Sequence, residues 1–81
     1  SHSKKFNQPL NNWDVSNVII MDYMFSNTNK FNQDLNLWNI GNVKYISYIF
    51  NYAIAFNKLN CNSWDLNHIH PNNRVYIYNF Q

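Results

Sequence analysis

Cys61, His68 and His70 come closest to a metal site, because a thiolate and two imidazoles are donors that zinc prefers. Their spacing matches no standard zinc pattern and no fourth donor follows them. Counted back from Trp64, Cys61 takes the position that Leu10 holds before Trp13 and Leu35 before Trp38. It therefore reads as a small buried hydrophobe. The acidic residues are Asp14, Asp22, Asp34 and Asp65, with no glutamate. Asp14 and Asp65 stand at equivalent positions of two repeats, roughly 10 Å apart if the repeats stack as strands. That is near the separation of an inverting glycosidase pair, but nothing around either residue suggests a pocket or a raised carboxyl pKa. The expectation is a protein that is not an enzyme, with no catalytic residue, metal or cofactor.

The residues that could recognise something are organised by a repeat. Phe6-Asn7-Gln8-Pro9-Leu10-Asn11-Asn12-Trp13-Asp14-Val15-Ser16-Asn17-Val18 returns as Phe31-Asn32-Gln33-Asp34-Leu35-Asn36-Leu37-Trp38-Asn39-Ile40-Gly41-Asn42-Val43. A looser third copy runs from Phe56-Asn57-Lys58 to Trp64-Asp65-Leu66-Asn67-His68-Ile69. One such unit cannot bury its own Trp, Phe and Met side chains, so copies must stack. Residues 6–30, 31–55 and 56–69 are read as three repeats. Residues 70–81 abandon the pattern and read as a C-terminal cap. Residues 1–5, beginning Ser1-His2-Ser3, read as a tag remnant or lead.

Within each repeat, Trp13-Asp14-Val15 and Trp38-Asn39-Ile40 alternate like short strands that point Trp and Val or Ile inward. Val18, Met21, Met24 and Phe25, then Val43, Ile46, Ile49 and Phe50, have the stripe of a short helix. Gly41 replaces Ser16 where a turn or permissive conformation is expected. Arg74 to Phe80 is rich in β-formers and reads as extended. Asn7, Asn32 and Asn57 are expected to form a buried ladder that satisfies backbone groups at a corner. The fold expected is α/β: a short leucine-rich-repeat-like solenoid, with parallel short strands and short helices or turns on its convex side.

The pattern F-N-x-x-L-x-x-W-(D/N)-(V/I)-x-N-V-x-x-(M/I)-x-x-(M/I)-F resembles the 25–26-residue bacterial surface protein repeat of mycoplasma-type lipoproteins, a family distantly related to BspA-like leucine-rich repeats. Residues 6–50 carry the resemblance closely and 56–69 carry it with one insertion. It implies a location on a cell or particle surface, roles in adhesion or protein contact, and no catalytic residues.

Composition narrows the partners. Net charge is +2 with no basic stripe, which argues against nucleic acid. No apolar run reaches the length of a transmembrane helix. Asn12, Asp14, Leu37, Asn39, Ser63 and Asp65 are expected to project from the strands' open, concave face as a binding row. Tyr23, Tyr45, Tyr48 and Tyr52 fall off the helical stripe and are expected to be partly exposed aromatic contacts. The partner expected is a protein, either a second copy or another surface protein. The alternative is a carbohydrate held by tyrosine and asparagine. Lys4 and Lys5 lead into Phe6 without an evident cap, so the open end is expected to pair with another copy or with further repeats.

Overall fold

The computed structural model describes residues 6–77. The N-terminal lead and the last four residues of the C-terminal cap lie outside the described residues.

The chain is built from turns. In the first repeat, Trp13 N–H donates to Leu10 O at 2.9 Å and Val18 N–H to Val15 O at 3.0 Å. The second repeat closes the same turns from Trp38 to Leu35 and from Val43 to Ile40. The third closes them from Trp64 to Cys61 and from Ile69 to Leu66. Each is a four-residue turn whose first and last residues are apolar. The period-three spacing that suggests a helical stripe is thus the period of successive turns.

The expected α/β solenoid with parallel strands is not what forms. Among the described residues there is no sheet, only one isolated parallel bridge between Ile20 and Tyr45. The helical segments are two 3-10 turns, Lys58–Cys61 and Pro71–Asn73. The cause lies in residues 21–27. Met21, Tyr23, Phe25 and Asn27 donate their N–H groups to the carbonyls of Tyr45, Ser47, Ile49 and Asn51 at 2.7–3.1 Å, keeping the alternation of a parallel pair. The intervening peptides fold back instead: Met24 N–H returns to Met21 O and Ser26 N–H to Tyr23 O. Positive φ at Tyr23 (60°) and Asn27 (61°) imposes that curl, and Tyr48, Tyr52 and Tyr76 share it. Tyr23 and Tyr52 are third residues of the Met21–Met24 and Phe50–Ala53 turns, where a type II turn requires such a φ. Gly41 does not have a positive φ. The permissive conformation expected of it falls on tyrosines. Residues 74–77, expected to be extended, form a turn at 75–76 flanked by bends.

Equivalent residues meet across the repeats, which we call the first, second and third layers. Phe6, Phe31 and Phe56 stack with ring centroids 5.6 and 5.7 Å apart. Phe25 and Phe50 pack into the same column from within. The second layer forms the centre of the core, with Phe31, Leu35, Val43, Ile46, Ile49, Phe50 and Ala53 wholly buried. Asn32 N–H donates to Asn7 Oδ1 at 3.0 Å and Asn57 N–H to Asn32 Oδ1 at 2.9 Å. The asparagine ladder therefore exists, but on the exposed surface rather than buried. No helix among the described residues is long and apolar enough to cross a membrane.

Candidate functional site

The tryptophan column separates the layers. Trp38 and Trp64 are 5% and 8% exposed, whereas Trp13 is 60% exposed. Each buried indole donates Nε1–H to a carbonyl one layer back: Trp38 to Leu10 O at 2.8 Å, Trp64 to Leu35 O at 3.0 Å. No layer precedes Trp13 among the described residues, so it has neither cover nor acceptor there. The expectation that Trp13 fills the core is corrected by this position.

The rest of the first layer follows suit. Phe6, Val18 and Met24 are half-buried, while their second-layer counterparts Phe31, Val43 and Ile49 are fully buried. Ile19 and Ile20 are exposed. Second-layer carbonyls at Tyr45, Ser47 and Ile49 accept from the first layer. Their first-layer counterparts at Ile20, Asp22 and Met24 accept no hydrogen bond among the described residues. The outer face of the first layer is therefore apolar, with an indole donor at one side and a row of carbonyls at the other. Sequence reasoning assigned Trp13 to the interior because residue type alone does not say which copy's tryptophan is covered.

The expected binding row is exposed throughout, but much of its polar capacity is engaged locally. Asp14 Oδ1 accepts from Ser16 N–H at 3.0 Å and Ser16 Oγ–H at 2.6 Å. These bonds, the hydroxyl's first, hold the Asp14 carboxyl below its ordinary pKa. Asn39 Oδ1 accepts from Gly41 N–H and Asp65 Oδ1 from Asn67 N–H, the same two-residue turn in each layer. Ser63 spends its N–H and hydroxyl on Asn36. A groove between the second and third layers gathers Asn39, Ser63 and Asp65 beside His68; Asn12, Asp14 and Leu37 do not line it.

The tyrosines divide. Tyr23, Tyr48 and Tyr76 form a column with ring centroids 5.1 and 5.2 Å apart. Tyr45 and Tyr52 are exposed outside that column. Tyr76, absent from the sequence expectation, completes it. Tyr48 sits between the other two rings, while Tyr23 and Tyr76 stay about half exposed.

The three residues considered as zinc donors are engaged separately. Cys61 is wholly buried, and burial pushes its thiol pKa up to about 12. His68 Nε2 lies 3.1 Å from both Ile40 O and Val43 O. Both partners are acceptors, so Nε2 carries the proton. His70 Nδ1 accepts from Asn72 N–H. Among the described residues no three such side chains come together as a metal site.

No curated protein and no solved structure matches the chain. The family described as Mycoplasma protein of unknown function, DUF285, has a model that matches residues 1–79, and the chain belongs to that family.

Proposed function

We propose that the chain is a non-enzymatic repeat module for protein–protein contact at a cell or particle surface, and that the outer face of its first layer makes the contact. The observation that carries this reading is the exposure of Trp13 where both equivalent tryptophans are buried. Trp13, Ile19 and Ile20 together present apolar surface whose burial is worth about 2–3 kcal/mol per side chain. Contact surfaces of this kind are apolar at the centre and rich in aromatic anchors. The surface location rests on the resemblance of the repeat to surface protein repeats.

The test is a double substitution, Trp13→Asp with Ile20→Asp, at residues whose exposure lets the fold survive the change. In sedimentation velocity over rising concentration, the unmodified chain associates at the high end and the double variant does not. Association that persists in a folded double variant would overturn the reading, as would an unmodified chain that stays monomeric throughout.

A further inference from the structure

The seam between the second and third layers departs from the repeat. Gly41 stands where the first layer carries Ser16, Ser63 where the second carries Leu37, and His68 where the second carries Asn42. In the seam between the first and second layers, Ser16 Oγ–H is spent on Asp14 Oδ1 and Asn42 Nδ2 on Ser16 O. In the later seam Gly41 brings no side chain, and a groove of about 480 Å³ opens there. The buried side chains of Trp38, Ile40 and Trp64 form its apolar part. Its polar residues keep hydrogen-bonding capacity in reserve. The turns at Asn39 and Asp65 use only the Oδ1 atoms, so Asn39 Nδ2 and Asp65 Oδ2 have no partner among the described residues. Neutral His68 carries its proton on Nε2, against Ile40 O and Val43 O, and keeps Nδ1 as an acceptor. Ser63 Oγ donates to Asn36 O and keeps its lone pairs.

We propose that this groove binds a neutral sugar ring, through Asn39, Ser63, Asp65 and His68 over the Trp38–Ile40–Trp64 surface. The ligand class follows from the groups held in reserve. One donor, the Asn39 amide, stands among acceptors at Asp65, His68 and Ser63. A sugar hydroxyl donates and accepts at once, so neighbouring hydroxyls of one ring meet both kinds. The ring's C–H groups suit the indole and isoleucine surface beneath. Other chemistries fit less well. The Asp65 carboxylate repels an anion, and an ammonium group, which only donates, leaves the Asn39 amide unmet. A metal lacks its donor set, since no three metal-binding side chains come together among the described residues. An extended peptide docks along a backbone edge, whereas the reserve groups here all sit on side chains. The site goes beyond the contact reading above and shares no residue with Trp13, Ile19 and Ile20.

The experiment titrates the isotope-labelled chain with glucose, galactose, mannose and N-acetylglucosamine, and with tetra-alanine as a peptide probe, and follows N–H signals by NMR. At least one sugar is expected to shift the Asn39 side-chain amide and the Trp38 and Trp64 indole signals saturably. Its Kd should be on the order of millimolar, as befits one small ring. Asp65→Asn keeps the oxygen that closes the turn, as Asn39 does one layer earlier, but replaces the reserve acceptor with a donor. Affinity should fall roughly tenfold while the melting temperature holds. Ser63→Leu installs the residue that the second layer carries at that position and should abolish the shifts. Sugars that leave the groove signals unmoved would overturn the proposal, as would shifts produced by tetra-alanine alone. So would an affinity that a folded Asp65→Asn chain retains in full. The sedimentation test involves none of these residues, so the contact reading stands or falls separately.

Discussion

Trp64 donates its indole proton to Leu35 O at 3.0 Å, repeating one layer on what Trp38 does to Leu10 O at 2.8 Å. Each of those carbonyls also closes its own turn by accepting from the tryptophan three residues later. One oxygen thus holds a turn together and ties the next layer to it. The link joins local structure to packing: the tryptophan that ends a turn also clamps the turn before it.

Trp38→Phe removes the clamp but keeps an aromatic ring in the column. The expected cost is about 2 kcal/mol, combining the lost bond with the volume left unfilled. Trp13→Phe removes the same atoms from an exposed ring and should fall within about 0.5 kcal/mol of the unmodified chain. Urea titrations of the two variants check the contrast, and equal losses would show that Trp13 is not at an open end.

Tyr48 has φ of 57° and lies between Tyr23 and Tyr76 in the stacked column. A left-handed backbone costs an L-residue about 1–2 kcal/mol and costs glycine almost nothing. Tyr48→Ala and Tyr48→Gly both lose the ring, so the stacking loss cancels between them. The glycine variant should be the more stable by about 1 kcal/mol, the reverse of the order in regular structure. Thermal unfolding of the pair reads the difference directly.

These two sites mark where the sequence was legible and where it was not. Leu10, Val15, Met21, Phe25 and their second-layer counterparts point inward as their spacing implies. Steps of three, however, serve a helix and a run of four-residue turns equally well, and only the backbone decides between them. The deciding residues are Tyr23, Tyr48 and Tyr52, whose side chains prefer strands but whose backbones are left-handed. Nothing in a tyrosine signals that conformation. The lone glycine, where sequence reasoning looks for it, does not adopt it. At the candidate site, Asp14, Asn39 and Asp65 were legible as an exposed row. Their use as turn acceptors was hidden because a binding group and a turn-former draw on the same residue types. The exposed Trp13 was illegible because its repeat reads like the two whose tryptophans are buried.

Asn32 both gives and receives in the surface ladder. Its N–H goes to Asn7 Oδ1, and its own Oδ1 accepts from Asn57 N–H at 2.9 Å and Asn60 Nδ2 at 2.8 Å. Both bonds to the side chain need only an acceptor oxygen. Asn32→Asp should therefore stay close to the unmodified stability at neutral pH, while Asn32→Ala should cost about 1 kcal/mol. Chemical denaturation of the two variants separates them; an equal loss in both would mean that the amide nitrogen carries the role.

Cys61 makes the last prediction, which concerns pH. Its thiol is wholly buried in the core, donating to Lys58 O at 3.5 Å, and its pKa is raised to about 12 from an ordinary value of 9.0 because burial penalises the thiolate. The folded chain holds the proton more tightly than the unfolded chain does. The stability this contributes is therefore complete below about pH 9 and is lost as pH rises toward 12. Across that window the slope approaches about 1.4 kcal/mol per pH unit from this group. Tyrosines titrate over the same range, so the measurement is the difference between the unmodified chain and Cys61→Ala. The alanine variant starts less stable by about 1–2 kcal/mol near neutral pH through its cavity. The gap between the two should close as the pH rises above 9. In the native chain at neutral pH the thiol should also resist iodoacetamide and become reactive only in denaturant, since the protonated, covered sulfur is not a nucleophile. Parallel stability curves for the two proteins above pH 9, together with rapid labelling of the folded chain, would show that Cys61 is accessible and ionises like a free thiol.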